Sequence, residues 1–236
     1  ASVFDEAGHF TSSTNLWPAV IQEKLGTDVR IGTASGTVHA ETACLLKTPI
    51  TRSARIFITD PPCPNCTKNI VEAGIQEIYI DHKGFEKDYA RRRGGDFFTM
   101  TLRICEEAGI SVYEIRRKDE EIIPILTLPP ELYRLSLTPE LFESLETHID
   151  KKKVLAAKAM DIFGGTPFAY GMAVGDDGQK MLLGVARRVI LEDPVKQAGE
   201  KKYTYISEPL NRLLMTARAL GFTLEADSLV SSSVPT

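Results

Sequence analysis

The 236-residue chain has no excess of basic charge: 28 Lys and Arg stand against 32 Asp and Glu, a formal net charge of −4. An overall positive field for wrapping nucleic acid is therefore absent. No apolar run approaches the roughly 20 residues of a membrane span, and the first residues carry no secretory signal pattern. Cysteine is scarce. The four are Cys44, Cys63, Cys66 and Cys105, with none in the second half. A secreted disulfide framework would spread its cysteines through a smaller domain. This usage points instead to metal or redox chemistry in a reducing, cytoplasmic compartment. What is present is ordinary: 43% hydrophobic and 25% charged residues, enough for one large core or two modest ones.

The pattern along the chain predicts alternating elements. Residues 1–14 read as a hairpin, and 16–36 as mainly loop with one helical turn. His39 to Leu46 reads as a helix, and Ala54 to Thr59 as a short strand. Cys63 to Ala73 is a helix stopped by Gly74, followed by a strand at Ile75 to Ile80. Phe97 to Ala108 is a helix stopped by Gly109, followed by a strand at Ile110 to Ile115. Strands joined by helical crossovers favour parallel, right-handed pairing. The expected fold class is α/β: a mixed sheet with helices on its faces.

Residues 1–120 therefore form the first expected domain. Residues 121–137, with Pro124 and Pro129-Pro130 following a charge run, read as a linker or extended crossing segment. A second domain is expected over 138–236. It would hold a helical stretch from Pro139 to Phe163, a hairpin of Phe168 to Val174 and Met181 to Leu191, and a helix from Glu208 to Leu220.

Two local motifs carry chemistry. His39-Ala40-Glu41 opens one helix; Pro62-Cys63-Pro64-Asn65-Cys66 opens another, just after a strand. A lone Cys-x-x-Cys fits structural zinc, a redox pair or chance. With His39 added, one imidazole and two thiolates make three zinc ligands and leave a fourth position open, the arrangement of a catalytic zinc. A structural zinc would need a fourth protein ligand, for which His82 is the nearby candidate. The helix N-termini place positive dipole ends beside Cys63 and Cys66. Glu41, two places after His39, can serve the site without ligating the metal.

His-x-Glu followed by Pro-Cys-x-x-Cys is a known signature of zinc deaminases. On these motifs, with Thr59-Asp60-Pro61-Pro62 before Cys63 and Ile70-Val71-Glu72-Ala73-Gly74-Ile75 after it, the chain resembles the cytidine/deoxycytidylate deaminase superfamily over residues 1–116. The resemblance implies a three-layer α-β-α domain and a Zn2+ cofactor on His39, Cys63 and Cys66. It also implies hydrolytic deamination of a small nucleobase-containing molecule, of cytidine or deoxycytidylate type. Glu41 would move the protons, and Asn15, the Ala40 amide and the carbonyl near Pro61 would contact substrate. A homodimer is the expected assembly.

Other readings remain open at this point. The base could be guanine, adenine, or adenosine in tRNA, although a pI of about 5.7 argues against tRNA. A non-catalytic zinc scaffold is the reading from another class, and Glu41 argues against it. Arg91-Arg92-Arg93 reads either as a phosphate contact or as a solvated loop. The second domain reads either as an unrelated α+β block or as a degenerate deaminase-like repeat. In the repeat, Ser207 and Pro209 would stand where His39 and Glu41 do, and could do neither job. The same comparison predicts a helix ahead of Ala1.

Overall fold

The computed structural model describes residues 1–17, 19–25, 37–87, 95–133, 139, 141–144, 161–164, 166–186 and 209–232. The expectations for Arg91–Arg93 and Ser207 lie outside them, as does most of the helical stretch expected up to Phe163.

The first sheet begins with the hairpin β1 (Ser2–Phe4) and β2 (Phe10–Ser12). Helix α1 (Ala19–Leu25) is longer than the single turn expected. Then follow α2 (Ala40–Lys47), β3 (Arg55–Ile58), α3 (Pro64–Glu72), β4 (Glu77–Asp81), the short α4 (His82–Glu86), α5 (Gly95–Ala108) and β5 (Ser111–Arg116). The strand order is β2-β1-β3-β4-β5, closed by a sixth strand, β6 (Glu121–Leu126), at the edge. β3, β4 and β5 are parallel; β1, β2 and β6 join antiparallel. This is the mixed α/β sheet flanked by helices that the element order implies.

β6 occupies residues 121–126 of the stretch expected as a linker or extended crossing segment. Its apolar Ile122, Ile123 and Ile125 are interrupted by Pro124, which conceals the strand. An edge strand tolerates proline because one row of its backbone amides needs no ladder partner.

Alternation in the strands sets the two faces. Ile56, Ile58, Ile78, Ile80 and Val112 are buried with Ile70, Val71, Ile104 and Cys105 from the crossover helices. Two right-handed crossovers progressing the same way across the sheet place α3 and α5 on that one face. The opposite face carries a row of rings, Phe4, Phe57, Tyr79 and Tyr113, with centroids 4.7–5.6 Å apart.

The second sheet has the order β10-β8-β9-β7. Its long hairpin is β8 (Phe168–Gly175) and β9 (Lys180–Ala186), turning through Asp176-Asp177-Gly178. β7 (Leu141–Ser144) pairs with β9, so these four residues are a strand where a helix was expected. Leu141, Phe142 and Leu145 fit helical spacing equally well, and pairing along β9 decides the matter. Helix α6 (Pro209–Ala219) follows, then β10 (Phe222–Leu224) and β11 (Val230–Ser231), which both pair antiparallel with β8.

α6 lies between its own sheet and helices α2 and α3. Leu213 and Ala217 pack with β8 and β9, while Met215 joins the first core. Arg212 Nε meets Glu72 Oε2 of α3 at 3.3 Å, with side chains 1% and 2% exposed.

Candidate metal centre

Helix α3 starts where its sequence demands. Pro64 stands at the first helical position, where no amide donor is needed. Cys63 is extended at the N-cap, and its Sγ accepts from the Cys66 amide at 3.4 Å. A thiol thus performs the capping task usually given to a hydroxyl or carboxylate. Thr67 Oγ1 donates to the Cys63 carbonyl and Thr101 Oγ1 to the Pro62 carbonyl, each at 3.0 Å. These two bonds fix the corner between β3 and α3.

His39 occupies the N-cap of α2 in extended backbone, with no side-chain capping bond. The missing acceptor comes from elsewhere: Asn15 Oδ1 accepts from the Ala40 amide at 2.9 Å. That leaves the His39 ring to face the thiols. Its Nδ1 is 3.3 Å from Cys66 Sγ and 3.7 Å from Cys63 Sγ. All three donor atoms lie within 4.8 Å of one another. Tetrahedral zinc, with bonds of about 2.0–2.1 Å to nitrogen and 2.3 Å to sulfur, requires N···S separations near ~3.5 Å. The donor set therefore fits zinc in both chemistry and spacing. His82 is engaged elsewhere, with Glu114 at 2.8 Å and Glu86 at 3.4 Å.

The thiols behave as a pair. The Cys66 side chain lowers the Cys63 thiol to about 4, aided by His39, while Cys63 and burial push Cys66 well up. One negative charge is thus easy to place here and a second is hard, a conflict that a divalent cation relieves. Glu41 stands in the same pocket. Burial, with Cys63 adding to it, raises its carboxyl above the ordinary range.

Asn15, His39, Ala40, Glu41, Pro61 and Cys63 all line one pocket, and Cys66 lies buried behind it. The chain does not match any family model. Over 99 residues it is 28% identical to the "Uncharacterized deaminase in luxG 3'region" of Aliivibrio fischeri, covering 42% of this chain and 65% of that protein. One relative thus carries the name of a deaminase. Over 93 residues the chain is 29% identical to "ComE operon protein 2" of Bacillus subtilis (strain 168), covering 38% and 43% respectively. The chain spans less than two thirds of the length of each.

Asp60, from the stretch before Cys63, forms an ion pair with Lys87, and both line the pocket. Lys87, in a charged stretch after α4, gives no signal in the sequence. Among the described residues, no helix is long and apolar enough to cross a membrane.

Proposed function

We propose that this chain is a zinc-dependent hydrolytic deaminase of a small nucleobase-containing molecule, with cytidine- or deoxycytidylate-type substrates foremost. The observation that carries this reading is the placing of Glu41 in one pocket with His39 and Cys63, with Cys66 closing the donor set behind. A purely structural site has no use for a half-buried carboxylate lining the same pocket.

His39, Cys63 and Cys66 hold the metal. Bound there, zinc supplies the Lewis acidity that makes water nucleophilic near neutral pH. Glu41 accepts one proton from the attacking water and passes it to the ring nitrogen. It then takes the hydroxyl proton of the resulting adduct and passes it to the amine, which leaves as ammonia while the ring carbonyl forms. A carboxyl already raised by its surroundings suits both halves of that task, because its two protonation states lie closer in energy at neutral pH. The Ala40 amide is held by Asn15, so a substrate oxygen binding there displaces Asn15 Oδ1. The Asn15 side chain is then released to turn towards the substrate. Pro61, in the wall before Cys63, offers its carbonyl to the exocyclic amine.

The test is ammonia release by the zinc-loaded chain from cytosine, cytidine, deoxycytidine and their monophosphates, with guanine and adenosine alongside. Turnover of one pyrimidine member above the others is expected. A zinc-loaded chain that releases ammonia from none of them refutes the reading.

A further inference from the structure

A line of polar side chains runs from the second sheet's helix to a metal ligand. Asn211 on α6 donates from Nδ2 to Asn69 Oδ1 at 2.7 Å. Asn69 on α3 donates from Nδ2 to Thr42 Oγ1 at 3.0 Å. Thr42 on α2 in turn stands 3.9 Å from Cys66 Sγ. Three helices thus each contribute one member, and the line ends on a thiol.

The direction of the line follows from the inventory of donors. A carboxamide has one accepting end and one donating end. Asn211 takes the accepting end of Asn69, which leaves its amine for Thr42. Thr42 Oγ1 therefore accepts from Asn69, and its single hydrogen is left for sulfur. A thiolate holding a metal has no proton to give, so O–H···S is the arrangement open to Cys66 in that state. Asn69, the middle member, is 2% exposed, so its two bonds are shielded at that end from competing water. The neighbouring Arg212–Glu72 pair holds α6 in register on α3, keeping Asn211 opposite Asn69.

We infer that Thr42, Asn69 and Asn211 are positioning residues. Together they set one hydrogen bond on Cys66, so that the C-terminal block governs how firmly the centre holds its metal. This rests on the zinc reading above. Hydrogen bonds to ligands commonly alter metal affinity by about 10–100-fold.

The experiment uses the full chain and two readouts. One is zinc transfer to a chromophoric chelator. The other is the thiolate-to-metal charge-transfer band of the cobalt(II) form. Asn211→Asp is nearly isosteric but presents an acceptor to Asn69. Asn69 then turns its amine to α6 and its oxygen to Thr42, drawing the Thr42 hydrogen off the sulfur. The expected result is zinc held about 10–100-fold more weakly and a cobalt band moved to longer wavelength. Thr42→Val should match it, Thr42→Ser should resemble the parent, and the double variant Thr42→Val/Asn211→Asp should lose no more than Thr42→Val alone.

Additive losses in the double variant, or an Asn211→Asp chain with the parent's affinity and band, overturn the relay. Should Asn211→Asp not fold, the Thr42 pair decides: equal behaviour of Thr42→Val and Thr42→Ser overturns it. A parent chain that binds neither metal removes the zinc reading itself and the relay with it.

Discussion

Glu41 and Glu114 are both carboxylates, and their surroundings push them in opposite directions. Glu41 is raised chiefly by burial; Glu114 is lowered first by Arg116, at 2.7 Å, and then by His82. Glu41→Ala should keep zinc and fold but lose about 10²–10⁴-fold in turnover, as read by metal analysis and steady-state kinetics together. Substantial remaining turnover would assign the proton transfers to another group. For Glu114 the sign is that of a depressed carboxyl. Its stabilisation is full above the unfolded carboxylate range and fades as pH falls through the lower folded value. The melting temperature of Glu114→Gln should therefore lie below the parent's at pH 7, with the gap closing as the pH falls below the ordinary carboxylate range. A gap that widens on acidification would contradict the pairing. At this scale the meeting of His39, Cys63 and Cys66 was legible in the sequence, because the order of the motifs and the elements between them bring the three together. Asn69 and Asn211 were not legible. They stand 142 positions apart, and an asparagine inside a helix advertises nothing about what it faces.

Elements with strong stops were read well, and those with mixed signals were not. α3 and α5 end before Gly74 and Gly109, whose φ of 71° and 72° suit glycine. β6 hides behind Pro124 and a charge run, and β7 carries spacing that serves helix and strand alike; in both cases a neighbouring strand settles the outcome. Contact between elements also explains a glycine that local sequence does not. A Cβ on Gly84 of α4 would stand 2.2 Å from the Thr59 carbonyl oxygen. That backbone leads into Asp60 and the Cys63 corner. Gly84→Ala should therefore push α4 and the corner apart, lowering the melting temperature and speeding zinc loss to a chelator. Unchanged zinc retention would show the corner to be insulated from α4.

Across the whole molecule, the two sheets share a plan. In the first, β1 pairs with β2 and, after α1 and α2, with β3; in the second, β8 pairs with β9 and, with α6 intervening, with β10. All four pairings are antiparallel. The described strand pairings of the C-terminal block thus follow the same order as the opening of the first sheet, while His39, Cys63 and Cys66 have no counterparts among its described residues. The two halves meet at a buried ion pair, and its energetics are asymmetric. Removing one partner strands the other charge away from water. Arg212→Met should cost about 3–5 kcal/mol, seen as an earlier denaturation midpoint with an unchanged slope. A loss of under about 1 kcal/mol, the range of exposed ion pairs, would show that water reaches Glu72.

The bridge between Leu16 and Val38, closed by amide–carbonyl bonds of 3.0 and 2.8 Å, stands immediately beside Asn15 and His39. It acts as a clasp at the base of everything between. With the clasp shut, His39 and the capping Asn15 are expected to depend little on the length of chain between Leu16 and Val38. Doubling the length of such an interval adds only about 0.6 kcal/mol of closure entropy. The interval between Leu16 and Val38 should therefore tolerate changes of length while Asn15 and His39 keep their places.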